Sequence, residues 1–285
     1  MKQSYSVLMS VYAKENPEYL KLAIESMLNQ TVPTNDFVLV CDGPLTPGLD
    51  AVIDTIYNQY PAIFQVVHLE RNCGLGNALN TGLKICKNEL VARMDSDDIS
   101  LPYRCELQLR EFKEKPELAL CSGDIAEFIS DMEDIKSIRS VPHSHREIVT
   151  FAKRRNPMNH MAVMFKKSAV RRAGGYIEIS YVEDYYLWVR MLNKGFKASN
   201  IKQILVNARI GNGMHKRRGG FSYIKSIYTL QKKMMEMHFI SPGEFIVNCF
   251  IRIGGSIIPT YFRKNIYERV LRKNNKIQLG KENDL

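Results

Sequence analysis

The sequence predicts an α/β protein in which a parallel sheet carries helices on both faces. Through residue 98, apolar β-branched segments alternate with segments whose apolar residues recur at helical spacing, as this class requires. A hydrophobic content of 45% with 25% charged residues is ordinary for a globular protein. A chain of 285 residues can bury the core of one large domain or two small ones.

The elements of the first half follow one another in a regular order. The predicted strands are SYSVLMSVY, DFVLVCDG, FQVVHLE and ELVARMD, which begin at residues 4, 36, 64 and 89. The predicted helices between them cover residues 19–28, 49–60 and 74–86. Polar residues follow three of these strands, namely Tyr12, Asp42 and Asp95 to Asp98. In a parallel sheet these positions lie at one edge, where α/β proteins bind ligands.

The second half is less regular. Helices are predicted over residues 103–115, 145–153 and 184–194, LALCSGDIAEFI gives one or two strands, and MAVMF gives another. From residue 219 onward the chain is predicted to be helical and basic. We therefore expect a domain over residues 1–220, with halves 1–98 and 99–220, and a basic amphipathic helical region over 221–285.

Charge is distributed unevenly between the two halves of the chain. Residues 1–135 contain 11 Lys and Arg against 21 Asp and Glu, whereas residues 136–285 contain 29 against 9. A strongly basic second half predicts contact with an anionic partner, such as nucleic acid, acidic lipid or a diphosphate. No helix-turn-helix, zinc-finger or RNP-like pattern is present, so we expect no nucleic-acid partner.

Cysteine usage and hydropathy favour a cytoplasmic protein. The six cysteines form no CxxC pair, which argues against a zinc cage and against a redox dithiol, and several lie inside apolar runs. The apolar stretch Tyr5 to Ala13 is short and is followed by Lys14 and Glu15, so we expect no secretory signal. The most apolar segment, residues 245–262, is interrupted by Asn248, Arg252 and Pro259, so we predict no membrane-spanning helix.

The strongest chemical signal is the segment Arg93-Met94-Asp95-Ser96-Asp97-Asp98. Three carboxylates within four residues repel one another unless a cation neutralises them. Oxygen ligands suit Mg²⁺ or Mn²⁺, and such an ion suits a substrate diphosphate. A solvated acidic turn is the alternative, and the position after a predicted central strand favours the metal site.

Three further segments are candidates for the site. Glu183-Asp184 opens an amphipathic helix, where Asp184 is a candidate N-cap and a candidate general base, two roles that are compatible. Small residues from Asn72 to Asn80 at a strand-to-helix junction allow backbone amides to approach a phosphate. His215-Lys216-Arg217-Arg218 suits a diphosphate, which Arg217 and Arg218 can grip, and His215 is a candidate metal ligand. A solvated basic turn is the alternative for the last segment.

Together these segments resemble a known family. The series SVLMSVY, VLVCDG, NCGLGNALNTGL, ARMDSDDISLP, NPMNHMAVMFKKSAVRRAGGY and EDYYLWVRML is similar to the family 2 glycosyltransferases, in order and with ordinary spacing from about residue 4 to residue 220. Within that family it resembles bacterial enzymes of O-antigen, capsule and exopolysaccharide synthesis, the amylovoran-type transferases among them. The resemblance implies the GT-A fold, in which a Rossmann-like nucleotide-binding half is fused to an acceptor-binding half around a mixed sheet.

The resemblance also implies roles for individual residues. Asp95 and Asp97 match the DxD motif that holds a divalent metal and the donor, and Asp184 matches the catalytic base. The nucleotide contacts are expected from the segments that contain Tyr12, Asp42, Asn72, Arg93, Asp95, Ser96, Arg217 and Arg218. His215 lies where many GT-A enzymes have a further metal ligand. Many relatives have two aspartates before the glycine of VLVCDG, and here Cys41 takes the first position.

The expected activity is inverting transfer of a hexose or N-acetylhexosamine. The donor is expected to be a UDP-sugar, the cofactor Mn²⁺ or Mg²⁺, and the acceptor a saccharide on a polyprenyl diphosphate, with peripheral contact at the inner face of the plasma membrane. One alternative is a sugar-nucleotide nucleotidyltransferase, which requires a glycine-rich loop after the first strand that is lacking here. Another is a non-enzymatic module that binds lipid or nucleic acid, which has no need of paired acidic sites.

Overall fold

The computed structural model describes residues 4–211 and 221–257. The chain divides into two compact units, Met1–Asn212 and Gly213–Leu285, and each is described by itself. The predicted ligands His215, Arg217 and Arg218 lie outside the described residues, as does the basic stretch after residue 257. The predicted boundary between residues 220 and 221 stays a prediction.

The first unit alternates strands and helices, as predicted. Its strands are β1 (Tyr5–Val11), β2 (Asp36–Cys41), β3 (Phe64–His68), β4 (Leu90–Met94), β5 (Ile99–Ser100), β6 (Leu118–Phe128), β7 (Ile135–Arg139), β8 (Met164–Lys166) and β9 (Lys197–Arg209). Its helices are α1 (Pro17–Leu28), α2 (Pro47–Gln59), α3 (Leu75–Ile85), α4 (Arg104–Glu114), α5 (His145–Ala152), α6 (Lys167–Arg172) and α7 (Glu183–Asn193), with a 3-10 turn at His160–Ala162.

The strands form a single mixed sheet in the order β3-β2-β1-β4-β8-β6-β9-β5, with β7 paired to β6. The four strands β3, β2, β1 and β4 are parallel, which confirms the expectation for the first half. Strand β8 then runs antiparallel to both β4 and β6, and β9 runs parallel to β6. The short β8 therefore joins the two halves of the chain into one sheet.

Helices pack on both faces of the parallel strands because the side chains of a strand alternate in direction. Val7 and Met9 of β1 belong to a buried cluster with Leu20 and Ile24 of α1. On the other face α3 lies very close to the sheet at Gly82, where a Cβ atom would be 2.4 Å from Cδ1 of Leu8. A glycine is needed at this point because any side chain would overlap the strand.

Local sequence signals explain where several helices begin. The Asn16 side chain accepts a hydrogen bond from the Glu18 amide, and Pro17 occupies the first turn of α1. Helix α5 begins with a capping box formed by Ser144 and Glu147. The start of α7 contradicts one of the two roles predicted for Asp184. The N-cap of α7 is Val182, so Asp184 lies in the first turn of the helix and is not its N-cap.

Three strands of the second half are absent from the sequence-based expectation. The 13-residue β9 is the longest strand described, and β5 and β7 also lie in segments predicted as irregular. The segment LALCSGDIAEFI forms one strand, β6. The predicted strand MAVMF is shorter than expected, because the 3-10 turn takes up its first residues and β8 begins at Met164.

The described part of the second unit is a pair of helices, α8 (Phe221–Glu236) and α9 (Pro242–Ile257). Asn248 of α9 donates a buried hydrogen bond to Gln231 of α8, 2.9 Å long, and the Tyr228 and Phe245 rings meet edge to face. Apolar residues on the outer side of α9 are exposed: Ile246 (65%), Val247 (51%), Phe250 (81%) and Ile251 (62%). No helix within the described residues is both long enough and apolar enough to cross a bilayer.

All six cysteines fall in the described part of the chain and are free thiols. Burial raises the pKa of Cys41 and of Cys86 to about 12, so both remain protonated at neutral pH. This agrees with the expectation that these cysteines are packing residues.

Candidate active site

A cleft opens where β1 and β2 end. It has a volume of about 360 Å³ and is lined by Tyr12, Ala13, Lys14, Asp42, Gly43, Pro44 and Asn72. The Asp42 amide continues the pairing of the two strands by donating to the Val11 carbonyl, at 2.8 Å. The structure thus brings together Tyr12, Asp42 and Asn72, which the sequence singles out separately.

Asp42 fixes the loop that forms one wall of this cleft. Its carboxylate accepts hydrogen bonds from the amides of Cys73 (2.7 Å) and Gly74 (3.1 Å), and its carbonyl accepts one from the Asn72 side chain (3.2 Å). The next residue, Gly43, has a φ of +88°, and a Cβ atom there would lie 2.6 Å from the Asn72 amide nitrogen. Two of the amides predicted to approach a phosphate are therefore already bonded to the Asp42 carboxylate.

The acidic turn after β4 is held by one ion pair with Arg93 and by hydrogen bonds to neighbouring segments. Arg93 pairs with Asp95, and the Ser96 hydroxyl donates to Glu15 at 2.6 Å. Burial, together with the charges of Asp95 and Glu15, raises the pKa of Asp97 to about 7. Glu15 belongs to the loop between β1 and α1, and sequence reasoning did not identify it as part of this site.

Arg209, at the end of β9, holds the other side of the acidic turn. Its backbone amide donates to the Asp98 carboxylate at 2.7 Å, and its Nε donates to the Asp97 carbonyl at 3.2 Å. The guanidinium carbon lies 3.7 Å from the ring centre of Tyr19 and 4.6 Å from that of Phe128. Burial and the neighbouring carboxylates raise the pKa of Asp98 well above its usual range.

The donor atoms of the turn fit a divalent cation. Asp95 and Asp97 supply carboxylate oxygens, which Mg²⁺ and Mn²⁺ prefer, and a dication would relieve the repulsion that raises the pKa of Asp97. The described residues contain no cluster of three or more His, Cys, Asp or Glu side chains suited to a metal. Two protein carboxylates suffice where substrate phosphates complete the coordination.

A second acidic pair lies at the start of α7. The Asp184 carboxylate accepts a hydrogen bond of 2.6 Å from the side chain of Asn156. Burial raises the pKa of Asp184, while Asn156, the Tyr185 amide, Arg93 and Arg139 favour the ionised form. Burial also raises the pKa of Glu183 to about 7, and its Oε2 is buried without a hydrogen-bond partner.

Aromatic residues pack around α7. Trp188 lies within ring-contact distance of His160, Tyr176 and Phe165. His160 shares a hydrogen bond of 3.0 Å with the Tyr176 hydroxyl, and burial beside Arg93 lowers its pKa well below the usual value. His160 is therefore a neutral packing residue.

Arg93 links the two acidic groups electrostatically. Its guanidinium bonds Asp95, and its charge also favours the ionised forms of Glu183 and Asp184.

Residues 6–172 match the glycosyl transferase family 2. The chain belongs to this family. The match covers more than half of the 285 residues and includes both the cleft and the acidic turn. It confirms the resemblance seen in the sequence, and it decides against the nucleotidyltransferase and against the non-enzymatic module.

Two relatives that match this family 2 glycosyltransferase over nearly their whole length are bacterial glycosyltransferases. It is 38% identical over 268 residues to the amylovoran biosynthesis glycosyltransferase AmsE of Erwinia amylovora, covering 93% of this chain and 98% of that protein. It is also 38% identical over 269 residues to the UDP-Gal:α-D-GlcNAc-diphosphoundecaprenol β-1,3-galactosyltransferase of Escherichia coli, covering 94% and 97%.

Solved structures confirm the GT-A fold. A mannosyltransferase of Pyrobaculum calidifontis, solved with GDP-mannose and Mn²⁺, matches 96% of this chain and 81% of its own chain with a TM-score of 0.65. The two sequences are only 12% identical, so the likeness concerns the fold alone. The mixed sheet and the position of the cleft at the ends of β1 and β2 follow from this architecture.

The site of this glycosyltransferase contains residues to which the sequence analysis assigns no role. Asn156 bonds Asp184, Glu15 bonds Ser96, and Arg209 bonds Asp98. Glu15 and Arg209 lie in none of the segments that carry the family resemblance. Asn156 is the first residue of one such segment, NPMNHMAVMFKKSAVRRAGGY, and this is its sequence signal.

Proposed function

We propose that the protein transfers a hexose or N-acetylhexosamine from a UDP-sugar to a saccharide carried on a lipid diphosphate, with inversion at the anomeric carbon. The observation that carries the proposal is the acidic turn after β4, in which Asp95 pairs with the buried Arg93 and Asp97 lies beside Asp95 and Glu15. The charge of Arg93 also acts on Glu183 and Asp184, which supports a common region for donor-binding and proton-accepting carboxylates. The printed activity of the galactosyltransferase from Escherichia coli supports this choice of donor and acceptor.

In the proposed reaction, Asp184 is the general base. The acceptor hydroxyl oxygen attacks the anomeric carbon, the bond from that carbon to the diphosphate oxygen breaks, and UDP leaves with the bonding electrons. The proton of the hydroxyl passes to the Asp184 carboxylate. Asn156 holds this carboxylate by a 2.6 Å hydrogen bond, which fixes its orientation and favours its ionised form.

The nucleotide is assigned to the cleft at the ends of β1 and β2. Tyr12 is 39% exposed there and offers a ring for stacking, while Asp42 and Asn72 shape the opposite wall. Because the Asp42 carboxylate already accepts two backbone amides, we assign it mainly to holding that wall. Arg217 and Arg218 remain the proposed diphosphate ligands of the segment outside the described residues.

Asp95 and Asp97 are the proposed ligands of Mn²⁺ or Mg²⁺, with His215 as a further ligand. When bound, the ion neutralises the charge that develops on the departing diphosphate. The chain's own contribution is to hold the two carboxylates in place: Arg93 orients Asp95, and the contacts of Arg209 fix the backbone around Asp97.

Peripheral contact with an anionic membrane surface at the cytoplasmic face completes the proposal. The exposed apolar face of α9 suits the interfacial region of a bilayer. The sequence from residue 258 to 285 adds Arg263, Lys264, Arg269, Arg272 and Lys273, which anionic headgroups attract. A lipid-linked acceptor would be delivered at such a surface.

The deciding experiment measures UDP release by the purified full chain from a panel of UDP-sugars in the presence of Mn²⁺. The panel includes UDP-galactose, UDP-glucose and their N-acetylated forms, with and without a synthetic N-acetylglucosamine diphosphate lipid. We expect acceptor-dependent release from one donor, lost with EDTA and in Asp97→Ala.

The control variant is Asp54→Ala, a change in α2 at an exposed position away from the site, which should retain full turnover. UDP binding is followed separately by calorimetry. A folded protein that neither binds UDP nor turns over any donor would overturn the proposed function.

A further inference from the structure

A run of three cations, Lys153-Arg154-Arg155, follows helix α5 and is here called the basic loop. The amides of Arg154 and Arg155 both donate to the Phe151 carbonyl, at 2.9 Å each, so the loop is a tight turn at the end of α5. The side chains of Arg154 and Arg155 are exposed, and neither forms an ion pair or hydrogen bond with a described residue. Their charges can therefore serve a ligand.

Two hydrogen bonds hold the basic loop against the start of α7. Just before the loop, the Ala152 carbonyl accepts a bond of 2.7 Å from the Tyr185 hydroxyl. Just after it, the Asn156 side chain donates to the Asp184 carboxylate at 2.6 Å. Because Asp184 and Tyr185 are consecutive, both ends of the loop are tied to the same point of α7. Consecutive Cα atoms are about 3.8 Å apart, so Arg155 is a close neighbour of the contact with Asp184.

The sheet fixes the segment that follows the basic loop. The Pro157 carbonyl accepts a bond of 3.0 Å from Asn200 of β9. The buried Asn159 side chain donates to the carbonyls of Gly123 in β6 and Arg139 in β7, at 2.8 and 3.3 Å. Contacts with three strands therefore set the position of the loop beside Asp184.

The charge of the basic loop exceeds what the end of a helix needs. A cation at the carboxyl end of α5 interacts favourably with the helix dipole, which accounts for one of the three. Three consecutive cations repel one another unless an anion neutralises them. Arginine side chains grip phosphate oxygens in bidentate fashion. The loop therefore suits a ligand that carries phosphate.

The chemistry of the proposed reaction identifies which phosphate this is. In an inverting displacement, the attacking hydroxyl and the departing diphosphate lie on opposite faces of the anomeric carbon. Cations beside the base Asp184 are therefore on the side of the acceptor, away from the departing UDP. The proposed acceptor has a diphosphate of its own. When the accepting sugar is joined directly to it, hydroxyl and diphosphate are separated by the width of one sugar ring.

We propose that the basic loop binds the diphosphate of the lipid-linked acceptor, with Arg154 and Arg155 as its ligands. It follows that the accepting sugar is the one joined directly to the diphosphate, because a longer saccharide would hold the diphosphate away from the loop. The inference rests on the proposed function, since it takes Asp184 as the general base.

The test compares Arg154→Gln/Arg155→Gln with the unaltered full chain. Two acceptors are used with the donor that the panel identifies: the N-acetylglucosamine diphosphate lipid, and N-acetylglucosamine joined to the same lipid chain without the diphosphate. Binding of the diphosphate lipid to the protein with UDP and Mn²⁺ is also measured by calorimetry, which needs no turnover. The matched control is Arg171→Gln/Arg172→Gln, a change of two adjacent exposed arginines at the end of α6.

For Arg154→Gln/Arg155→Gln we expect the KM of the diphosphate acceptor to rise about tenfold or more, since charge-assisted hydrogen bonds are lost. Binding of the diphosphate lipid should weaken by a similar factor. The kcat at saturating acceptor and the KM of the donor should stay within about twofold of wild type, because Asp184 and Asn156 are unchanged. With the phosphate-free acceptor, the variant and the wild type should have equal kcat/KM. The control should match the wild type throughout.

A wild-type KM for the diphosphate acceptor overturns the inference. So does an equal loss with both acceptors, which would mean that the loop supports the structure of the site. A variant that sediments less with phosphatidylglycerol vesicles but has an unchanged KM for the diphosphate acceptor would assign the loop to lipid headgroups instead. Absence of turnover in the unaltered protein is a failure of the proposed function, and the calorimetry with the diphosphate lipid then still decides whether the loop binds it.

Discussion

At the scale of single residues, Asp184 combines burial with a small set of stabilising contacts. Burial raises the pKa of its carboxyl, and only its ionised form can accept the proton of an acceptor hydroxyl. Turnover is therefore expected to fall as pH decreases through a value above the usual range of an aspartate. The position of that limb depends on neighbours that are distant from Asp184 in the sequence, Asn156 and Arg93 among them.

The first prediction concerns Asp184→Asn. The amide has nearly the same volume and retains an oxygen for the Asn156 hydrogen bond, but it cannot accept the proton, so kcat should fall by about 10²- to 10⁴-fold. UDP affinity, measured by calorimetry, should stay within about twofold of wild type because the cleft is untouched. Turnover close to wild type in the folded variant would remove Asp184 from the role of base.

The second prediction concerns Asn156→Ala. Loss of its hydrogen bond to the carboxylate raises the pKa of Asp184 further, so the acidic limb of kcat should move to higher pH by about one unit, with the alkaline plateau retained. Asn58→Ala, at an exposed position on α2, serves as the control and should not move the limb. If the acidic limb of kcat lies at the same pH in the wild type, in Asn156→Ala and in Asn58→Ala, the role assigned to Asn156 is wrong.

The third prediction concerns stability and Glu183. Its pKa is about 7 in the folded protein against 4.5 for an ordinary glutamate, so the folded state holds the proton more tightly than the unfolded state. Its contribution to stability is full below about pH 4.5 and is lost as pH rises through 7. Glu183→Gln should therefore raise Tm by a few degrees at pH 8 and change it little at pH 4. Equal shifts at both pH values would mean that Glu183 does not titrate in this window.

At the scale of elements, a single residue, Gly82, determines how closely α3 packs on the sheet. Gly82→Ala would place a methyl group 2.4 Å from Leu8 and 2.8 Å from Val40. We expect α3 to shift and the free energy of unfolding in urea to fall by about 1–3 kcal/mol. The control is Lys84→Ala, an exposed position on the same helix, which should change stability by less than about 0.5 kcal/mol.

The strands differ in how well the sequence predicts them. The parallel strands are predictable because β1, β2 and β4 are short, predominantly apolar runs, buried on both faces. Strand β9 is not, because Asn200, Lys202 and Gln203 interrupt the apolar pattern in its middle. Its ladder with β6 is irregular there as well, with register shifts near Asp124. The pairing is decided by tertiary contacts that a local pattern does not contain.

The same distinction applies to the site. The carboxylates of Asp42, Asp95, Asp97 and Asp184 stand in recognisable motifs, so their importance is predictable. The contacts of these carboxylates are not predictable. Asp42 and Asn72 are 30 positions apart, Asn156 and Asp184 are 28 positions apart, and no local pattern indicates that either pair is in contact. Arg93 is visible in the motif, but its burial, which makes it a support of other residues, emerges only from the fold.

At the scale of the whole molecule, the outer face of α9 gives the fifth prediction. The full chain should sediment with vesicles that contain phosphatidylglycerol, and the variant Ile246→Ser/Phe250→Ser should bind them at least about tenfold more weakly, because it loses two large exposed apolar side chains. Tyr57→Ser, an exposed aromatic change on α2, is the control. Equal binding of all three proteins would exclude α9 as the membrane contact.

The clamp that Arg209 places on Asp98 has a consequence for synthesis on the ribosome. The two residues are 111 positions apart, so the acidic turn leaves the exit tunnel long before the strand that completes it. A nascent chain that ends before β9 carries the carboxylates but lacks their last support. We expect that incomplete chains do not turn over sugar nucleotides. Catalytic activity should arise only after β9 has been translated.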